Sequence, residues 1–369
     1  MYRRITLSIR TALRAVRAER LYIFMIIFML IMHFSAFMAD KAGDQIAAEG
    51  AVVEGKVPDK SAESLTIFDP GKIAEREEKL RTKLLEDPGM AFFVVTLNLA
   101  VIFFIFVGVF LDIYLLKRFI RKEPLNIRIV SGNGPSWKLR DVLRVSVIFL
   151  FAGHVFILLQ GAMNQYMPFA DNDNFQMIFN TMMINIVAVS VIFYYVIVKY
   201  RQKPEDLGIS IKRSELNLLY GAIGYIALLP VVILIIMATY IFIRVINYVP
   251  PVQPIVQVFL DENSAGVLWS SVIFAAFFGP LAEELFFRGF MYPALRKKFG
   301  ILGGVFITSG VFSLLHFHAV GFLPILALGV LLTYIYEKTG SIFTPIAIHI
   351  FHNIAMVVMV FMVRELGIY

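Results

Sequence analysis

The sequence contains no cysteine and few charged residues. Without cysteine the chain can form neither a disulfide nor a zinc site built on thiolates, and it has no thiol nucleophile. Charged residues are 17% of the 369 residues and hydrophobic residues 59%, which is too apolar for an ordinary soluble domain. The net charge of +7 comes from Lys and Arg that alternate with apolar stretches, so nucleic acid is not an expected partner.

Long apolar runs are abundant, and most approach the roughly 20 residues that cross a bilayer as a helix. They predict an all-α, polytopic transmembrane helix bundle of about nine spans, with the lipid bilayer as its surroundings. The predicted spans are residues 21–38, 90–116, 142–163, 175–198, 219–246, 267–290, 301–317, 322–336 and 342–363.

The charges between the spans orient the chain. Arginines crowd the first twenty residues, and Lys and Arg also follow the second, fourth and sixth spans. The intervening loops carry Asp171, Asp173, Asp261 and Glu262 but no Lys or Arg. By the positive-inside rule the amino terminus is inside and the carboxyl terminus outside. The first run is interpreted as a retained anchor, with a cleaved signal peptide as the alternative.

The acidic stretch 39–89 is the predicted external loop. Within it, residues 71–86 are typical of a surface helix, opened by Asp69-Pro70 and closed by Pro88-Gly89. The segment is too short to build a core of its own. We expect it to cap the bundle or to lie on the outer leaflet.

Glu283, Glu284 and Arg288 place three charges inside an apolar span. An ionised side chain in hydrocarbon is costly unless it is paired, so such residues are first considered functional. Glu284 and Arg288 are four residues apart on one helical face and suit a structural ion pair. Glu283 points elsewhere, because adjacent helical residues differ by about 100° in direction, and it requires a partner from another helix, water or protonation.

Four of the six histidines lie in the last third of the chain. His316 ends one apolar span, while His349 and Asn353 share a face of the last span. Each alone is as typical of a hydrogen-bonded packing residue as of a site. Counted at about 1.5 Å per residue, Glu283, His316, His349 and Asn353 reach comparable depths if the helix continues past Pro293. Gly279-Pro280 and Pro293 are predicted breaks that would make Glu283 shallower.

Three motifs in this order resemble those of the CPBP family, which contains CaaX prenyl endopeptidases and bacteriocin-processing or abortive-infection proteins. They are Glu-Glu-x-x-x-Arg from Glu283, Phe-x-x-x-His from Phe312 and His-x-x-x-Asn from His349. The lead-in at 205–209 is similar too, so the resemblance covers residues 206–358. It implies a catalytic membrane domain at 204–369, preceded by a four-span membrane region at 1–203.

The resemblance implies hydrolysis of a peptide bond within the membrane. Glu283 and His316 would activate a water, and His349 and Asn353 would stabilise the oxyanion. Glu284 and Arg288 would support them. The implied substrate is a membrane-associated or prenylated-like protein, and the implied location is a prokaryotic cell (inner) membrane.

Metal dependence is open at this point. Glu283, His316 and His349 could bind a single zinc ion, but the chain has no His-Glu-x-x-His helix, and the family has been assigned both metal and metal-free mechanisms. A non-catalytic membrane chaperone, immunity or scaffold protein of the same fold is the alternative. A proton-coupled transporter is disfavoured because the first four spans carry no counterpart motif. A serine protease is disfavoured because Ser313 lacks a Gly-x-Ser-x setting.

Overall fold

The computed structural model describes residues 19–53, 70–122, 134–163, 172–211, 213–246, 248 and 252–367, and these residues form helices and connections without a strand. The predicted all-α class is confirmed. The basic leader 1–18, residues 54–69 of the external loop and Asp171 lie outside the described residues.

The α-helices are numbered here in chain order. Their bounds are α1 Arg20–Val53, α2 Pro70–Glu86, α3 Pro88–Ile120, α4 Leu139–Met163, α5 Asp173–Phe193, α6 Ser214–Val245, α7 Pro254–Asp261, α8 Ala265–Ile273, α9 Gly279–Glu284, α10 Tyr292–Leu314, α11 Phe322–Thr339 and α12 Phe343–Leu366. Three π-helical segments continue or join them: Tyr194–Lys199, Phe274–Phe278 and Leu285–Met291.

Seven helical stretches of the described residues are long and apolar enough to span a membrane. One of them, Ala265–Leu314, contains Gly300 at φ 73° and ψ −178°, which divides it into two helices. With the apolar helix Arg20–Ser35, these elements agree with the predicted bundle of about nine spans. The protein is an integral membrane protein.

Two predicted features of the spans are wrong. Helix α1 continues to Val53, past residue 39, where the loop was expected to begin. The chain does not break at Gly279-Pro280 or at Pro293, because both prolines lie in the first turn of their helices, where proline is tolerated. The π-helical segments before α9 and α10 keep the chain helical, and the break falls at Gly300 instead.

Contacts divide the chain into two compact units, residues 1–61 with 140–191 and residues 62–139 with 192–369. The first unit contains α1, α4 and most of α5. The second contains α2, α3 and α6 to α12, and it holds every candidate site residue. The boundary predicted from the sequence, between residues 203 and 204, separates the segment with the motifs from the segment before it. It stays a prediction.

The second unit has a core where α6, α11 and α12 meet. Leu328, Leu332, Ile335 and Ile348 form a buried cluster there. Gly221 of α6 allows close approach, because an added Cβ would lie 2.7 Å from Ile348 Cδ1. Small residues serve this purpose between transmembrane helices, where packing contributes much of the association. Lys83 of α2 donates a hydrogen bond to the Glu365 carbonyl at the end of α12, so α2 contacts the bundle.

The lead-in before α6 docks on the same core. Its 3₁₀ turn Pro204–Leu207 ends at Gly208, whose φ is 82° and whose carbonyl oxygen accepts a hydrogen bond from Ile342 N at 2.8 Å. A Cβ on Gly208 would lie 2.6 Å from Tyr336 Cε2. The glycine is therefore required both by backbone conformation and by the ring beside it.

Candidate active site

The helix α9 that ends in Glu283 and Glu284 lies between two π-helical segments. Such segments interrupt the regular i→i−4 ladder and are frequent at functional sites. One backbone carbonyl in each of them accepts a side-chain hydrogen bond. Asn353 Nδ2 donates to Ala275 O at 2.8 Å, and Trp137 Nε1 donates to Phe290 O at 2.7 Å. The irregular backbone thus anchors α12 on one side of Glu283 and the segment before α4 on the other.

Glu284 and Arg288 form an ion pair with both side chains fully buried. Arg288 Nη1 donates to Glu284 Oε1 at 2.6 Å. Two further nitrogens donate to α11: Nη2 to the Gly329 carbonyl and Nε to Thr333 Oγ1, each at 3.3 Å. The guanidinium carbon lies 4.5 Å from the Phe312 ring centroid, within range of a cation–π contact. The buried positive charge of Arg288 is therefore stabilised by a carboxylate, two further hydrogen-bond acceptors and an aromatic ring.

His349 on α12 is buried and lies against both glutamates. Its Nδ1 is 2.8 Å from Glu284 Oε1. A carboxylate accepts and does not donate, so Nδ1 carries the hydrogen when Glu284 is ionised. Its Nε2 then faces Glu283, whose Oε2 is 3.9 Å away. Glu284 thereby orients the imidazole with its second nitrogen toward the other carboxylate.

Glu283 and Glu284 have different surroundings although they are adjacent. The Glu283 side chain is 35% exposed, while that of Glu284 is 0% exposed. Glu284 Oε1 takes both Arg288 and His349, and its Oε2 has no hydrogen-bond partner among the described residues. Glu283 is thus the accessible carboxylate of the two.

His316 lies just past the end of α10 and is tied to its own helix. Its Nδ1 donates to the Phe312 carbonyl at 2.8 Å, so the neutral ring has an unprotonated Nε2 that can accept a proton. The Phe312 ring contacts both histidines: its centroid lies 4.8 Å from that of His316 and 5.7 Å from that of His349. Phe312 therefore connects the second and third motifs by ring contacts.

The polar side chains of α12 fan out toward three different elements. His349 faces α9, Asn353 faces the π-helical segment Phe274–Phe278, and His352 is hydrogen-bonded to Tyr225 OH on α6 at 3.0 Å. Steps of three and four residues place them on adjoining sides of one helical face. Asn353 is therefore oriented by its own hydrogen bond to Ala275 next to α9.

The segment that contains the three motifs is similar to known proteins. Residues 265–355 match the family model described as "Type II CAAX prenyl endopeptidase Rce1-like", which includes all three motifs. Over these residues the chain is similar to the Rce1-like CAAX prenyl endopeptidases. It is also similar to "Putative membrane peptidase YdiL" of Bacillus subtilis (strain 168), with 30% identity over 103 residues. That match covers 28% of this chain and 41% of the relative. No solved structure matches.

The family motifs are brought together to different degrees. His349 contacts both Glu283 and Glu284, and Glu284 in turn pairs with Arg288. His316 is connected to this group through the Phe312 ring, which contacts both histidines. Among the described residues, neither His316 nor Asn353 forms a hydrogen bond or ion pair with Glu283. The roles predicted for these residues remain proposals.

Three residues that contact Arg288 in the structure were not among the predicted site residues: Phe312, Gly329 and Thr333. Phe312 belongs to the second family motif, so its signal was present. Thr333 and Gly329 of α11 had a weaker signal: a hydroxyl and a glycine in a span are typical of helix packing. Only the tertiary structure shows that both accept hydrogen bonds from Arg288.

The zinc set Glu283, His316 and His349 does not fit the arrangement of the donors. No three His, Asp or Glu side chains of the described residues are grouped so that they could hold a metal ion. Glu283, His316 and His349 are therefore not assembled as a zinc site in this structure.

Proposed function

We propose that the protein is an intramembrane endopeptidase that hydrolyses a peptide bond of a membrane-associated protein with a water activated by Glu283 and His316. The family match supports a membrane protease. The observation that carries the finer proposal is the contrast between the two glutamates: Glu284 is buried on Arg288 and His349, while Glu283 is accessible beside His349 Nε2.

In the proposed reaction Glu283 takes a proton from water, and the hydroxide attacks the scissile carbonyl carbon. His316 orients this water through its unprotonated Nε2. The negative charge that develops on the carbonyl oxygen requires N–H donors, which Asn353 and His349 provide. Collapse of the tetrahedral intermediate breaks the C–N bond, and the proton taken by Glu283 passes to the leaving amine. The products are a carboxylic acid and an amine.

His349 donates from Nε2 only as an imidazolium, because its Nδ1 hydrogen is directed to Glu284. Glu284 supplies the compensating negative charge next to Nδ1. Arg288 keeps this carboxylate in place, so the support of His349 depends on a charge pair shielded from water. The burial of Glu284 and Arg288 favours a positioning role for both residues and leaves the proton transfer to Glu283.

The proposed substrate is a membrane-associated or prenylated-like protein, and the proposed location is a prokaryotic cell (inner) membrane. The name of the matched family and the apolar spans support a membrane-associated substrate, and the similarity to a Bacillus subtilis protein supports the location. The scissile bond must reach Glu283, which lies within a membrane-spanning helical stretch. This requirement favours a substrate whose scissile bond lies in an extended segment next to a lipid-embedded anchor.

Comparison of membrane proteomes from cells with the wild-type protein and with Glu283→Gln tests the proposal. We expect an intact protein to accumulate in the variant and its shorter product in the wild type. The purified wild-type protein, reconstituted in liposomes with this substrate, should reproduce the cleavage, and His316→Ala should abolish it. Cleavage by purified Glu283→Ala/His316→Ala protein would overturn the assignment. A membrane chaperone, immunity or scaffold protein would instead keep its cellular effect in these variants.

A further inference from the structure

Helix α11 contributes to the site although it carries none of the three motifs. Arg288 is fully buried and uses three nitrogens as donors: Nη1 to Glu284 on α9, and Nη2 and Nε to Gly329 O and Thr333 Oγ1 on α11. The position of the guanidinium between α9 and α11 is thus determined by acceptors on both sides.

The direction of the Thr333 hydroxyl hydrogen can be assigned. Its oxygen is 2.8 Å from the Gly329 carbonyl, which can only accept, so the single hydroxyl hydrogen is directed there. A lone pair of Oγ1 remains for Arg288 Nε. Ser309 Oγ is 3.4 Å from Thr333 Oγ1 but donates its own hydrogen to Val305 O at 2.8 Å. Ser309 therefore packs against Thr333 and does not compete for Arg288.

Close packing fixes Thr333 in this position. Thr333 and Ser309 are both fully buried. A Cβ on Gly329 would lie 3.2 Å from Ser309 Cβ and 3.3 Å from Phe312 Cδ1, so α11 lies tightly against α10 at this level. The hydroxyl oxygen has little room to move away from Arg288, and its orientation is set by the bond to Gly329.

We propose that Thr333 is a positioning residue of the active site, whose hydroxyl oxygen holds Arg288 so that Arg288 holds Glu284 against His349. This inference rests on the proposed function, because it assigns Thr333 to the same proton-transfer site. The connection runs through four side chains, Thr333, Arg288, Glu284 and His349, each in hydrogen-bond contact with the next.

Isosteric replacement separates the hydroxyl from its packing. Thr333→Val leaves Arg288 Nε without an acceptor, whereas Thr333→Ser keeps the acceptor and removes only a methyl group. The matched control is Thr308→Val, because Thr308 is equally buried and its Oγ1 has no hydrogen-bond partner among the described residues. We expect Thr333→Val to lower kcat about tenfold with KM unchanged. Thr333→Ser should retain most of the activity, and Thr308→Val should match the wild type.

A second measurement does not depend on cleavage. This measurement is the NMR spectrum of protein labelled with ¹⁵N-histidine. The chain contains six histidines, so the His349 signals can be assigned by comparison with His349→Gln. We expect Thr333→Val to displace the His349 ring nitrogen signals, and Thr308→Val and Thr333→Ser to leave them in place. Absence of cleavage by the wild type would refute the proposed function and leave this measurement valid. Unchanged His349 signals and kcat in Thr333→Val, or equal defects in Thr333→Ser and Thr333→Val, would overturn the positioning role.

Discussion

His349 Nδ1 lies 2.8 Å from Glu284 Oε1, and this contact turns His349 Nε2 toward Glu283 Oε2, 3.9 Å away. Glu284 thus orients the imidazole, and Nε2, the ring nitrogen that Glu284 does not bind, faces the carboxylate of Glu283. Helical geometry explains the division, because neighbouring residues differ by about 100° and cannot face the same partner. Substitutions at the two positions should therefore have different consequences.

Glu283→Gln should remove cleavage while leaving the fold intact. The amide keeps the size of the carboxylate but cannot take a proton from water, and loss of a general base costs about 10² to 10⁴ in rate. The Glu283 side chain is 35% exposed and forms no ion pair with Arg288, so the thermal unfolding temperature in detergent should stay close to that of the wild type. Cleavage by Glu283→Gln at the wild-type rate would show that another group activates the water.

Arg288→Met should destabilise the protein strongly. The substitution leaves the Glu284 carboxylate buried without its cation, and removing one partner of a buried ion pair typically costs about 3–5 kcal/mol. Replacing both charges, in Glu284→Gln/Arg288→Met, should recover much of this stability but not activity, because His349 loses its carboxylate. Thermal unfolding and cleavage are measured on the same preparations.

The exposed pair Glu75 and Lys79 on α2 is a matched control for this prediction. It has the same spacing of four residues and a distance of 2.8 Å, but both side chains are more than half exposed. Lys79→Met should leave the unfolding temperature unchanged, since exposed pairs contribute little. A similar loss in Lys79→Met and Arg288→Met would mean that burial of the Glu284 pair has no energetic role.

Much of this site could be predicted from local spacing. The helix α2, the apolar spans and the pair Glu284–Arg288 follow from patterns within a few residues, where helix geometry leaves few alternatives. The same spacing also showed that Glu283 needs a partner outside its helix, and His349 is close to it in the structure.

The contacts between helices could not be predicted in this way. Two π-helical segments flank Glu283 and Glu284 and alter the rotation that a regular α-helix would give. The contacts of Asn353 with Ala275, and of Arg288 with Gly329 and Thr333, depend on how α9, α11 and α12 are rotated against one another. Hydropathy does not specify such rotations, because lipid-facing and packed residues are equally apolar.

Asn353→Ala should lower kcat by about 10² without a large change in KM, because an oxyanion donor acts mainly in the transition state. Asn353→Asp is the sharper variant: it replaces the amide donor by a carboxylate facing the Ala275 carbonyl, to which Asn353 Nδ2 donates at 2.8 Å. It should be at least as inactive as Asn353→Ala. Steady-state cleavage kinetics measure both, and activity in Asn353→Asp equal to that of the wild type would exclude Asn353 as a donor.

Gly208→Ala should destabilise the docking of the lead-in on α11. Gly208 has φ 82°, and its new Cβ would lie 2.6 Å from Tyr336 Cε2. The left-handed conformation alone costs a non-glycine residue about 1–2 kcal/mol, and overpacking adds to it. Gly266→Ala is the control, because a Cβ at Gly266 meets nothing within 4 Å. The thermal unfolding temperature should fall in Gly208→Ala and stay or rise in Gly266→Ala.

Removal of metal should leave cleavage intact. Zinc catalysis requires about three protein ligands around one ion, and the described His, Asp and Glu side chains form no such group. Protein treated with a chelator, then dialysed and analysed for zinc by mass spectrometry, should cleave at the wild-type rate at far less than one zinc per chain. Loss of activity on chelation, with recovery on adding one equivalent of Zn²⁺, would instead require Glu283, His316 and His349 to close around the ion. In that case Glu283→Gln should also lower zinc binding, which distinguishes loss of a metal ligand from loss of a base.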